Sequence, residues 1–408
     1  MSTDTSVSLG IVGLGGYAAS ITDMVLRHPE LAQGTCRLHG VFDPNPARHP
    51  QRVALLRGRG IRIFEDYDAL LNEPIDALCL PVPIDLHRAY TERALQAGKA
   101  VLCEKPAAGS VDDVDAMIAA RDQARRPVII GFQDVYDPLI LEAKHWLAGS
   151  EIGRIVHATF RACWPRDTGY FSRNDWAGKL KHRGAWVMDS PAANALSHFI
   201  HLAFFMLGEQ PLGFARPRRV EAELYRANAI ENYDTCGIRV ETDRGPALFC
   251  MTHACATNVD PILVLRGEHG MMEITFAQII VRNRGGTRTI PRVEQPHPHM
   301  LQTFFDLVRG RTPTTAVSTL EMARTHVVTV NAASEATPVH DVPREIIETT
   351  QTREGAARLH SIPGVETLLR ECAHDNQLPH ESAKAQWTRP GGSIDVTNYT
   401  HFAGPKQG

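Results

Sequence analysis

Through the first third of the chain, short apolar runs alternate with stretches whose apolar residues recur every three or four positions. Ser8 to Val12 reads as a buried strand running into a glycine turn, after which Tyr17, Ile21, Met24 and Val25 fall at helical spacing. Leu38 to Asp43, Ile61 to Phe64, Ile75 to Leu80, Val101 to Cys103 and Pro127 to Gly131 are further runs of strand length. Helical patterns separate them, such as Ala89, Tyr90, Ala94 and Leu95, or Val111, Val114, Met117 and Ile118. Strands and helices in this order predict an α/β fold, a doubly wound parallel sheet of the Rossmann dinucleotide-binding type over residues 1–132.

Beyond Phe132 the pattern changes. Pro138 to Leu147 have helical spacing, then Ile155 to Trp164, Asp234 to Glu241, Ala247 to Ala256, Ile262 to Arg266 and Met271 to Phe276 read as strands between turn residues. Over residues 133–345 this predicts an α+β domain with a mostly antiparallel open sheet laid out as a meander. Leu301 to Arg309 and Ser318 to Ser334 read as helices. Residues 346–408 form a polar extension with one helical stretch at Val365 to Ala373. Its Trp387, Tyr399 and Phe402 predict that it packs, on the sheet or on a partner subunit.

Composition narrows the function classes. The 408 residues are 43% hydrophobic and 22% charged with a net charge of −3, which gives no electrostatic reason to expect nucleic acid or an acidic membrane surface. No apolar stretch is long enough to span a bilayer, and no basic-then-apolar leader precedes Leu9. Eight cysteines without a Cys-x-x-Cys pair suit reduced core thiols in the cytoplasm rather than disulfides or zinc. His297-Pro298-His299 has a proline between the imidazoles and no third ligand nearby in sequence, so a plain loop is expected there and no metal site.

The first glycine turn carries the first candidate chemistry. Gly13 and Gly15 stand at the first two positions of a dinucleotide fingerprint, with Gly16 and Tyr17 between them and Ala18, which takes the third position. Missing Cβ atoms there allow a tight turn and let backbone N–H groups approach a pyrophosphate at a helix N-terminus. Asp43 ends the second strand, where a carboxylate accepts from ribose hydroxyls, so NAD is expected over NADP; Arg48 weakens that preference. Pro81 closes a later strand, His87 opens the next helix, and Glu104-Lys105-Pro106 ends the strand after that with a held ammonium.

These stretches, in this order and spacing, resemble the glucose-fructose oxidoreductase and inositol dehydrogenase family, Gfo/Idh/MocA. The resemblance runs to about residue 345, and Glu104-Lys105-Pro106 is its most specific part. It implies that Lys105 lies beside the nicotinamide and the substrate hydroxyl, and that Gly13, Gly15, Gly16, Tyr17, Asp43, Pro81, His87, Glu104 and Lys105 form the cofactor site.

In the second half, Asn194, His198 and His201 recur at four and three residues after Pro191, which places them on one face of a helix. An imidazole can take a hydroxyl proton as hydride leaves the carbon, which makes His198 the candidate base and His201 a supporting or core histidine. The family carries Asp-x-x-x-His where this chain has Asn194 and His198, with Asp189 upstream. Either Asn194 or Asp189 then orients the histidine, the latter only if the intervening turn folds back. Trp164, Arg166, Arg173 and Trp176, with His201, are the candidate substrate contacts; the tryptophans either stack on a sugar ring or simply pack.

The expected function is an NAD(P)-dependent oxidoreductase acting on a CH–OH group of a sugar, polyol or sugar derivative, assembled as a homo-oligomer, a dimer or tetramer. Redox-neutral glycoside cleavage with transient use of NAD, reduction of non-sugar carbonyls or imines, and a nucleotide-sensing regulator are the alternatives.

Overall fold

The computed structural model describes residues 6–208, 212–313, 315–352 and 357–408. The chain divides into two compact units. The first holds Met1–Ala108, Asp113–Pro138 and Gln295–Ala323; the second holds Gly109–Asp112, Leu139–Glu294 and Arg324–Gly408.

The first unit is built on six strands: β1 Val7–Val12, β2 Cys36–Phe42, β3 Arg62–Phe64, β4 Ala77–Leu80, β5 Ala100–Cys103 and β6 Val128–Ile130. They lie in the order β3-β2-β1-β4-β5-β6 and every pairing is parallel. Every residue of β1, β4 and β5 is buried, which explains why these strands read as continuous apolar runs. The strand order reverses between β1 and β4, and an open α/β sheet binds ligands outside the carboxyl ends of its strands at such a switch point.

His297-Pro298-His299 is not a loop. It forms the first turn of the helix Pro296–Val308, since proline is tolerated where backbone N–H groups have no helical partner. That helix is tied down by Arg309 on the Glu30 carboxylate and by Gln302 Nε2, which donates to Glu30 Oε1 at 2.7 Å.

The second unit holds β7 Ile155–Cys163, the short hairpin β8 Lys181–His182 and β9 Ala185–Trp186, and then β10 Pro217–Arg226, β11 Thr235–Thr242, β12 Gly245–Thr252, β13 Val259–Gly267, β14 Gly270–Ile274, β15 Gln278–Asn283 and β16 Gly286–Pro291. β17 Val339–Asp341, the hairpin β18 Glu348–Gln351 and β19 Arg358–Ser361, and β20 Gly392–Asp395 complete it. The large sheet runs β16-β15-β14-β13-β7-β12-β11-β10-β17, with β20 also on β10. It is mostly antiparallel but not a simple meander, because β7 inserts between β12 and β13 and pairs parallel with β12. β10, β15 and β16 escape the apolar pattern; β10 carries Arg218, Arg219, Glu221 and Glu223 among its apolar residues.

One face of this sheet packs on the helix Ser197–Leu207. Phe160 stacks on Phe199 at 5.0 Å, and Phe249 meets Phe204 at 5.9 Å. Burying each such ring contributes roughly 1.5–3 kcal/mol. The alternate residues of β7 and β12 point to the other face, where Cys163, Leu248 and Cys250 meet Val365, Leu368, Leu369 and Cys372 of the helix Val365–Asp375. The C-terminal segment therefore covers part of the second face of its own sheet. All eight cysteines are buried and free. No helix among the described residues is long and apolar enough to cross a membrane.

Candidate active site

Each unit holds a cluster of chemically active groups. In the first, Gly13 closes β1 at φ +101°, and a Cβ there would stand 2.9 Å from that of Ala18. Gly15 caps the helix Gly16–Arg27 without a side-chain hydrogen bond, and no acidic residue lies in its first turn. Gly16, at φ +54°, has open space where a Cβ would be. A bare helix N-terminus, glycines on its approach and no competing carboxylate suit a pyrophosphate. Tyr17 is 46% exposed, with its hydroxyl 3.2 Å from His297 Nε2.

Asp43 is buried at the end of β2, and both its oxygens serve the main chain. Leu14 N donates to Oδ2 at 2.9 Å and Asn45 N to Oδ1 at 2.8 Å, so the carboxylate fixes the glycine turn. Pro81 follows β4 and is half-buried. His87 is fully buried, with Nδ1 2.8 Å from the Pro106 carbonyl and Nε2 2.9 Å from that of Val82. It braces the segments that leave β4 and β5. Burial pulls its pKa below the usual histidine value, against the pull of those carbonyls.

Glu104 and Lys105 follow β5 directly. Lys105 is half-buried and its peptide bond to Pro106 is cis. Glu104 is 5% exposed; Oε2 accepts from Lys105 N at 3.2 Å, while Oε1 is buried with no hydrogen-bond partner. Burial pushes its carboxyl up to about 7, and the neighbouring Lys105 charge only partly offsets this. Gly131 makes the room, since a Cβ there would stand 2.8 Å from the Glu104 carboxyl atoms. That requirement is invisible in sequence, where Gly131 only marks the end of a strand.

In the second unit the segment after Asp189 does fold back. Pro191–Ala195 winds as a π-helical turn, with Leu196 N donating to Pro191 O, and the α-helix begins at Ser197. The wider turn brings Asn194 Nδ2 within 2.8 Å of Asp189 Oδ1, while Gly178 N donates to Asp189 Oδ2 at 2.7 Å. His326 Nε2 lies 2.8 Å from the Ala192 carbonyl and braces the turn from below.

The predicted α-helical stripe through Asn194, His198 and His201 is therefore interrupted. Asn194 and His198 are half-buried, whereas His201 is 1% exposed and packs against Phe214 at 4.8 Å. Burial, with the neighbouring His326, holds the His201 pKa well below the usual range.

The four aromatic and basic candidates do come together. Arg166 lies over the rings of Trp164, at 5.4 Å, and Tyr170, at 4.6 Å; Arg173 lies over Tyr170, at 3.6 Å, and Trp176, at 5.4 Å. Arg173 also approaches Asp189 Oδ2 at 4.0 Å. Sequence reasoning missed Tyr170, which both guanidiniums share, and His253, whose ring lies 6.0 Å from it. Burial first, and then Arg166 and Arg173, hold His253 neutral with a pKa of about 3. The spacing of Tyr170 between the two arginines was the available signal.

Two family models match this chain. Residues 7–132 match the model of the oxidoreductase family with an NAD-binding Rossmann fold, and residues 140–273 that of the GFO/IDH/MocA C-terminal domain. An inositol 2-dehydrogenase of Acidothermus cellulolyticus is 33% identical over 168 residues, 40% of this chain and 47% of that protein. One from Rhizobium meliloti is 24% identical over 268 residues, 65% of this chain and 74% of that protein. The first curated relatives are thus matched over about half their length, 46% and 47%. In fold, the WlbA dehydrogenase of Bordetella pertussis, solved with NADH and UDP-GlcNAcA, superposes with a TM-score of 0.65 at 22% identity, over 80% of this chain and 95% of that one. With both domain models matched in order along one polypeptide, the chain belongs to the Gfo/Idh/MocA oxidoreductase family.

Proposed function

We propose that this chain is an NAD-dependent dehydrogenase acting on a hydroxyl of a sugar, polyol or sugar derivative. The observation that carries the reading is the placement of Gly13 and Pro81 at the carboxyl ends of β1 and β4, which flank the switch point of the parallel sheet, with Glu104-Lys105 at the end of the adjoining β5. In this reading residues 1–132 hold the cofactor, 133–345 read the substrate, and 346–408 support the second sheet. Bound nicotinamide supplies the hydride acceptor. Lys105 stabilises the alkoxide that develops on the substrate, and His198 takes its proton. Asn194, fixed by Asp189, keeps the approach to the helix of His198 in place. Asp43 favours NAD over NADP through like-charge repulsion of a 2′-phosphate. Buried free thiols suit the cytoplasm, and a homo-oligomer would draw its contact surface from the part of the large sheet that the C-terminal segment leaves uncovered.

The test is a panel of sugars, polyols, sugar acids and glycosides incubated with NAD+ and with NADP+, following reduced cofactor and, separately, products. Reduction of NAD+ by one class with stoichiometric ketone formation is expected. Glycoside turnover without net NADH would replace the reading by redox-neutral cleavage, and equal use of NADP+ would remove the role given to Asp43.

A further inference from the structure

The second unit carries an alternating stack of rings and guanidinium groups. Phe276, 49% exposed, stacks on Trp164 at 6.1 Å; Trp164 is followed by Arg166, Tyr170, Arg173 and Trp176 at the distances given above. Among the described residues the one ion pair these two cations make is that of Arg173 with Asp189, at 4.0 Å, while Asp167, next to Arg166, turns its Oδ1 to Tyr170 N at 2.8 Å. Asp189 already accepts from Gly178 N and Asn194 Nδ2. Nearby His253 is buried, with Nδ1 2.9 Å from the Trp164 carbonyl, and supplies no counter-charge.

Arg166 is the telling member. Its Nε is buried with no hydrogen-bond partner, while NH1 reaches the Pro165 carbonyl at 3.4 Å and the guanidinium also hydrogen-bonds the Tyr170 side chain. No acid among the described residues pairs with it. Simple packing accounts poorly for this, because Arg166 is half-buried with its Nε out of water and unpaired, a cost that an apolar side chain in the same space would not carry. The Nε–H left without a partner belongs to the fork of donors by which a guanidinium grips two oxygens of one anionic group.

We propose that the substrate of this enzyme is an acidic sugar derivative, whose carboxylate or phosphoryl oxygens are received by the edge of Arg166 with Arg173 beside it. The inference rests on the dehydrogenase reading and adds the charge of the substrate to it. Asp189 screens Arg173, so Arg166 makes the larger contribution. The ring shelf of Trp164 and Phe276 offers an apolar surface to the C–H face of the same sugar.

The test uses the full chain saturated with NADH, so that ligands bind without turnover, and measures D-glucuronate, D-glucose 6-phosphate and myo-inositol by titration calorimetry at low and high salt. At least one acid should bind about tenfold to hundredfold more tightly than the neutral polyol, as expected for hydrogen bonds to a charged group, and lose part of that margin in salt. Which acid it is separates a carboxylate from a phosphoryl group. Arg166→Met should weaken the acid at least about tenfold more than it weakens myo-inositol, and Arg166→Lys should restore part of the margin by charge alone. Circular dichroism checks that the variants fold. If the neutral polyol binds as tightly as either acid, or if Arg166→Met and Arg166→Lys weaken acid and neutral ligands equally, the acidic-substrate inference is wrong and the dehydrogenase reading stands. If no sugar of either class binds or reduces NAD+, both fall.

Discussion

In the proposed reading, the two clusters hold their small molecules in opposite ways. The cofactor half is made largely of main chain: glycines at φ +101° and +54°, a bare helix N-terminus, and an aspartate whose oxygens are spent on backbone N–H groups. Its charged groups are few, and one of them, Glu104, is sealed behind Gly131. The substrate half is made of side chains, with guanidiniums between rings and a buried carboxylate that positions an amide. Backbone sites recognise what all users of a cofactor share, whereas side-chain sites can be rewritten position by position without altering the fold. The same contrast predicts that damage to the first half should appear in cofactor binding and damage to the second in turnover and substrate choice.

The largest effects test that division directly. Lys105→Met and His198→Ala should each lower kcat by about two to four powers of ten, the usual cost of losing a proton acceptor or the charge that stabilises an alkoxide. The dissociation constant for NAD+ should stay nearly unchanged in both. Gly13→Val should do the reverse, because a side chain at φ +101° and 2.9 Å from Ala18 Cβ distorts the turn, raising that constant at least about tenfold. Fluorescence titration of NADH beside steady-state rates separates the two. If Lys105→Met weakens NADH as much as it lowers kcat, Lys105 belongs to the cofactor half and the comparison is drawn in the wrong place.

What could be read from sequence follows the same line. Gly13, Asp43 and Glu104-Lys105 were legible because their geometry is imposed by residues close to them in the chain: a strand, a turn without Cβ atoms, a proline. The parallel sheet was legible for a similar reason, since strands buried on both faces leave uninterrupted apolar runs. The substrate half depends on pairings that sequence does not display. Tyr170 and His253 meet only because β7 and β12 lie side by side, and a helical stripe from Asn194 to His201 assumed 3.6 residues per turn where Pro191–Ala195 winds wider. β10 went unseen because its outward face, with Glu221 and Glu223, is polar by sequence yet covered by the C-terminal segment; Glu223 accepts from Tyr225 at 2.7 Å and contacts His380.

A smaller effect decides what Asp189 does. It is 3% exposed and holds Gly178 N and Asn194 Nδ2 at once, so Asp189→Asn turns one of those donors against an amide N–H. The expected cost is about 1.5–3 kcal/mol of stability, the range for a hydrogen bond to a charged group, with kcat reduced about tenfold through a misplaced turn. Asn194→Ala should cost less in both. Urea unfolding together with kcat on one substrate gives the comparison. A kcat loss for Asp189→Asn equal to that of His198→Ala, without loss of stability, would mean that Asp189 acts on the proton-accepting histidine rather than on the chain that carries it.

The smallest effect is the same exchange, carboxylate to amide, made in the other half, and it should have the opposite sign. Burial raises the Glu104 carboxyl to about 7 in the folded protein, against an ordinary value near 4.5 when unfolded. Between those values the folded state keeps a proton that the unfolded state has released, so stability falls as pH rises through the window. Glu104→Gln removes that titration but retains a polar group in a tight place, so the net gain at pH 8 should be about 1–2 kcal/mol, vanishing or reversing near pH 4.5. Thermal melts of the cofactor-free protein and the variant from pH 4.5 to 8 would show the two curves crossing. Parallel curves would mean that Glu104 stays ionised across the range, held by Lys105. In that event the polarity of the cofactor half is paired in the same manner as that of Asp189, and the contrast between the halves reduces to one of backbone against side chain alone.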